Sequence, residues 1–170
     1  MAASSRPEVW LRGPVPGVPA PLQPVAHAVL QAQEEVQALL QGFPDSLLWV
    51  RPAGVASVGF HLQHLAGVLD RLFTYARGEQ LTPGQMALLR GETLEDDALD
   101  SGGLAAGFKT AVDRALDQLR TADQSRLLEA RGVGRAQLPS TVLGLLFHAA
   151  EHCTRHVGQA ITTAKILVGG

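Results

Sequence analysis

Apolar residues recur along this chain at the three- and four-residue steps that bring side chains onto one face of an α-helix. Val25, Ala28, Val29, Ala32, Val36, Leu39 and Leu40 form the first stripe and predict a helix over residues 25–41. Pro24 suits its first turn, and Gly42 followed by Pro44 ends it. Val58, Leu62, Leu65, Leu69, Leu72 and Ala76 predict a second helix over residues 58–77, with Ser57 as N-cap. Gln63, Asp70, Thr74 and Arg77 gather on another side of it as the face expected to meet water. Leu104, Ala105, Phe108, Val112, Ala115, Leu116 and Leu119 predict a third helix over residues 104–121, preceded by Gly102 and Gly103. A fourth starts at Pro139 and Ser140 and runs to about Leu167.

Shorter pieces fill the connections. Thr82-Pro83 can open a short helix to Arg90, and Asp123 can cap another to Glu129. Glu92, Glu95, Asp96, Asp97 and Asp100 form an acidic link that reads as a solvated loop. Residues 131–135, with two glycines in five positions, read as a loop, and no sheet is expected. Prolines 7, 14, 16, 19 and 21 exclude a helix or ladder strand from residues 1–21. Trp10 and Leu11 nonetheless suggest an arm that packs over a core. The expected architecture is all-α: a four-helix bundle over residues 22–170, short accessory helices, and a Pro-rich arm over residues 1–21.

Composition narrows the partners. A formal net charge of −2 over 170 residues, with scattered arginines, gives no electrostatic case for nucleic acid or an anionic membrane. No apolar run reaches membrane-spanning length, and no basic segment followed by an apolar one opens the chain. The single Cys153 suits a reducing compartment such as the cytoplasm, and the Ala/Leu/Gly/Arg/Pro-rich composition is associated with a GC-rich bacterial genome, so a cytoplasmic, bacterial protein is expected.

Candidate chemistry is concentrated in the fourth helix. His148, His152 and His156 recur at steps of four, three of the six histidines in the chain. At about 100° per residue they span a stripe about 80° wide, with Gln159 and Thr163 on it. Buried imidazoles need partners, and a metal ion is one that binds the neutral ring well. Three protein ligands with an open position are the pattern of a catalytic metal, and bundle cores build such sites from facing helices. The fourth helix can give the pair His148/His152 or His152/His156, and the second helix offers His61 or His64; spacing alone leaves these choices open. Ser57, Phe60, His64, Val68, Arg71 and Tyr75 share a stripe that mixes polar and apolar groups as a pocket wall does. His148-Ala-Ala-Glu151-His152 also fits the H-x-x-E-H pattern of inverted zinc peptidases. That reading lacks the large second domain those enzymes use to bind peptide. Cys153 and Glu151 fall off the stripe, the first as an apolar filler and the second as a solvent-facing or locally bonded acid.

Two segments carry a family resemblance. Ser57-Val-Gly-Phe-His-Leu-Gln-His64 places a histidine seven residues after a serine that opens the second helix. His152-Cys-Thr-Arg-His156-Val-Gly158-Gln159 is an H-x-x-x-H followed closely by Gly-Gln. Together they resemble the DinB-like (DinB/YfiT) superfamily of metal-binding four-helix bundles, over essentially residues 24–168. The resemblance selects His64, His152 and His156 as metal ligands and leaves His61 and His148 as neighbours. It implies one divalent metal ion per chain, nickel or zinc first and iron or manganese next, and a homodimer. It further implies a small-molecule substrate and a low-molecular-weight thiol, of the bacillithiol or mycothiol type, as co-substrate of an S-transferase or related hydrolase. A metal-binding stress-response module without turnover and a purely structural helical dimer are the alternatives. Gln159 would orient a ligand or bound water, and Arg71 and Tyr75 would contact a carboxylate or leaving group. The role of the arm around Trp10 and Arg12 lies outside the pattern.

Overall fold

In a computed structural model, residues 6–96 and 98–169 are described, so Asp97 of the acidic link lies outside them. Four long helices carry the core: α1 (Gln23–Leu40), α2 (Val58–Ala76), α4 (Ser101–Arg120) and α5 (Val142–Gly169). A short α3 (Pro83–Gly91) lies between α2 and α4. Both α1 and α2 pack against both α4 and α5. The apolar stripes meet in the interior, where Val29 and Val36 of α1, Leu62, Leu65 and Leu69 of α2, Phe108 and Val112 of α4, and Leu146 and Val157 of α5 are all buried.

Local chemistry sets where α2 and its neighbours start. The Ser57 hydroxyl accepts from the Phe60 amide at 3.2 Å and caps α2. Thr82 and Gln85 form a reciprocal capping box at the head of α3. Asp100 caps α4 through the Gly103 amide at 2.6 Å, so this helix begins before the two glycines rather than after them. The chain leaves α2 through Gly78, whose φ of +82° a residue with a Cβ rarely adopts.

Three expectations are corrected. Residues 131–135 are not a loop: β1 (Ala130–Val133) pairs antiparallel with β2 (Leu138–Thr141), Arg131 opposite Ser140 and Gly132 opposite Pro139. The last helix therefore begins at Val142, and Pro139 and Ser140 belong to a strand that feeds it. Glycine and proline are breakers only in an element that needs their missing atoms; a two-stranded ribbon is all edge and tolerates both. Second, the piece after Asp123 is only a 3₁₀ turn, Gln124–Arg126. Third, Thr74 is buried rather than on a wet face, because Gln85 of α3 and Arg77 both donate to its hydroxyl.

The Pro-rich segment lies along α1 and makes two 3₁₀ turns, Val9–Arg12 and Ala20–Leu22. Its buried anchors are Val9, Val18 and Leu22, whereas Trp10 and Leu11 face solvent. Arg12 grips Glu34 of α1 through both terminal nitrogens, at 2.5 and 2.8 Å. Among the described residues no helix is long and apolar enough to cross a membrane.

Candidate metal centre

Helices α2 and α5 face each other, and their histidines meet between them. His64 of α2 and His152 and His156 of α5 form a group whose nearest donor atoms all lie within 4.8 Å of one another. The Nε2 atoms of His64 and His152 stand 2.9 Å apart, and the His156 ring centre lies 4.5 Å from each of the other two. Phe60, one turn before His64, stacks on its ring at 5.5 Å with the planes 9° apart.

The outer nitrogens are committed elsewhere. His64 donates from Nδ1 to Glu92 Oε2 at 2.9 Å, because an ionised carboxylate can only accept. That fixes the tautomer and turns the Nε2 lone pair toward the cluster. Glu92 is in turn held by Arg71 through both terminal guanidinium nitrogens, and both residues are buried. Burial alone would raise the Glu92 carboxyl, but hydrogen bonds from His64 and Arg71 outweigh it and hold it below its ordinary range. His156 shares a proton with His61 between their Nδ1 atoms at 2.9 Å.

Charge is kept off the rings. Burial, then the neighbouring His64, pulls His61 down to about 4. Burial, then the adjacent histidines, does the same for His156, and burial also lowers His152. Near neutral pH these are neutral imidazoles, the form that ligates a metal. His152 Nδ1 is buried and has no hydrogen-bond partner among the described residues. Rings kept neutral at His152 and His156, ring nitrogens of all three histidines within 4.8 Å of one another and an unsatisfied buried nitrogen are a donor set that fits a divalent cation.

The remaining predicted residues divide. His61 is buried and backs His156. His148 is exposed on the outer side of α5, its Nδ1 2.7 Å from Glu151 Oε1. His148, Glu151 and His152 form a second group of potential ligands, but Arg155 also binds Glu151 at 2.5–2.7 Å and offsets its charge. Gln159 is exposed and lines a cavity bordered by His61 and His156. Arg71 meets a carboxylate, but it is the protein's own Glu92. Tyr75 is half-buried against the core, with no polar contact to the histidines. Cys153 is fully buried, and burial pushes its thiol up to about 12. Glu92 is the residue the pattern missed. Its one local signal is weak: it follows the last turn of α3, where the helix dipole disfavours a negative charge that has no partner elsewhere.

Residues 28–160 match the family model of the DinB superfamily. The chain belongs to that superfamily. A conserved protein from Enterococcus faecalis has a similar solved structure, with a TM-score of 0.68 at 18% identity over 88% of this chain and 98% of that one. A Streptococcus pneumoniae protein aligns with a TM-score of 0.61 at 13% identity over 85% of this chain and 88% of that one. At such identities the likeness concerns the fold alone. Comparison with curated proteins gives no match.

Proposed function

We propose that this DinB-superfamily protein is a divalent-metal-dependent enzyme of small-molecule chemistry, built on the four-helix bundle of the DinB/YfiT type. The observation that carries the reading is the convergence of His64, His152 and His156, supported from behind, beside an open cavity. These three would hold the ion. Glu92 keeps His64 in its Nδ1–H tautomer, and His61 orients His156. An ion bound by three imidazoles supplies Lewis acidity that lowers the pKa of a coordinated thiol or water. We read the activity as thiol S-transfer, or related hydrolysis, on small electrophiles in a cytoplasmic homodimer. The thiol gives its proton to solvent, its sulfur forms a bond to the electrophilic carbon, and the leaving group departs with the electron pair of the bond that breaks and takes a proton from solvent.

Three imidazoles suit nickel, zinc, copper and iron alike; the family resemblance puts nickel or zinc first, with iron or manganese as further occupants. Elemental analysis of freshly purified protein is expected to give about one divalent ion per chain. His152→Ala is expected to lose it while retaining helix content by circular dichroism. Protein that carries no metal and takes none up from solution overturns the reading. Thiol-dependent turnover of a panel of electrophiles separates an enzyme from a metal-binding module, which would fill the site and turn nothing over.

A further inference from the structure

The histidine cluster borders a cavity of about 620 Å³, a volume that suits one small molecule. One wall is a single stripe of α5 bearing Arg155, Gln159 and Ile166, at steps that return to the same helical face. From Arg155 to Ile166 the stripe rises about 16 Å and passes from charged to apolar. The polar end lies beside His156. At the other end Ile166 and Val55 are 56% and 48% exposed, large apolar groups presented to the cavity rather than withdrawn from it. Phe60, stacked on His64, completes the apolar lining.

The polar end is poised for an anion. Only Nη2 of Arg155 engages Glu151, with 2.7 and 2.5 Å to its two oxygens. Nε and Nη1 make no hydrogen bond among the described residues, and neither does the Gln159 side chain. The cavity lining includes no Asp or Glu; Glu151, outside the lining, offsets part of the guanidinium charge through Nη2 and leaves Nε and Nη1 open to the cavity side as donors. The anion-contacting role that the sequence suggested for Arg71 is closed to that residue, whose guanidinium is consumed by Glu92. We propose that the cavity takes an amphipathic organic anion, a monocarboxylate with an aliphatic or aromatic body. Its head meets Arg155 and Gln159, and its body lies against Phe60, Val55 and Ile166.

The inference deepens the metal-centre reading and rests on it for what the bound molecule is for, but binding is measured separately. Octanoate, octanol and octylamine share a body and differ in head charge. Their affinities for zinc-loaded and metal-free protein are read by calorimetry, with metal content determined on the same samples. Octanoate is expected to bind at least about tenfold more tightly than octylamine, since charge-assisted hydrogen bonds discriminate by that much or more. Arg155→Gln is expected to weaken octanoate about tenfold and leave octanol unchanged, and Arg155→Lys to recover part of the loss. Ile166→Ser should weaken octanoate and octanol together. Octylamine binding as well as octanoate overturns the proposal. So does octanoate affinity unaltered in Arg155→Gln, the result expected if the metal alone held the head. An empty centre with Arg155-dependent octanoate binding would sink the metal reading and keep this one; a filled centre without such binding does the reverse.

Discussion

One side chain decides how well the candidate centre is built. His64 can present Nε2 inward only if Nδ1 keeps its proton, and Glu92 is what holds that proton in place. Gly67 makes room for the arrangement, since a Cβ at that position would overlap the Glu92 carboxylate and the Arg71 guanidinium. Carboxylates that back a metal-bound histidine typically contribute 10–100-fold in affinity. Glu92→Gln keeps the size and an acceptor oxygen but removes the charge, and it is expected to weaken metal binding by about that range in a competitive chelator titration. It also leaves Arg71 buried with no countercharge, so a lower unfolding midpoint should accompany the weaker binding. Unchanged metal affinity would mean that His64 is not a ligand or that its tautomer is fixed by something else.

At the scale of elements, α2 and α5 are joined by imidazoles as well as by apolar packing, and in the metal-free protein this seam responds to acid. His61 and His156 titrate at about 4 in the fold, against an ordinary value near 6.5 in the unfolded chain. Between those values the unfolded state binds more protons than the folded one, so stability rises with pH across that interval. The chelator-treated protein is expected to be fully stable above pH ~6.5 and to lose stability as pH falls toward 4. His61→Phe should flatten that slope. A urea midpoint that does not move across the interval would show that the rings are not held neutral.

These elements also show what the sequence could and could not convey. The stripes of α1, α2 and α4 were legible because helical periodicity is local and each buried face repeats every turn. Ser57 as a cap, and His64, His152 and His156 as neighbours, followed from the same geometry with the family resemblance added. The hairpin was not legible. Its pairing of Gly132 with Pro139 depends on a register set across a turn, and neither residue has strand propensity of its own. Arg71 was assigned to the pocket because it shares a helical face with His64. A face says where a side chain can point, and a partner arriving from elsewhere, here Glu92 at the end of α3, decides what it meets.

For the whole molecule, the centre draws on helices that are distant in the chain: His64 and His152 are 88 residues apart. A ligand held by both α2 and α5 binds the folded state and finds no such site in the unfolded chain. Mass action then couples metal to global stability by RT ln(1 + [L]/Kd), about 2.7 kcal/mol at a free metal concentration 100 times Kd. For a domain of this size that corresponds to a rise in Tm of roughly 5–10 °C. Adding zinc or nickel to chelator-treated protein should raise Tm progressively with free metal rather than in one step that saturates at equivalence. His152→Ala should abolish the rise. His148→Ala is the informative contrast, because His148, Glu151 and His152 form a rival ligand group on the outer side of α5. An ion in that group would contact one helix only and would be lost with His148, whereas an ion between the helices would not notice the change. A Tm rise that survives His148→Ala and vanishes in His64→Ala places the metal in the seam between α2 and α5; one that vanishes in His148→Ala and survives His64→Ala moves it to the surface, and His152→Ala, common to both groups, abolishes it either way.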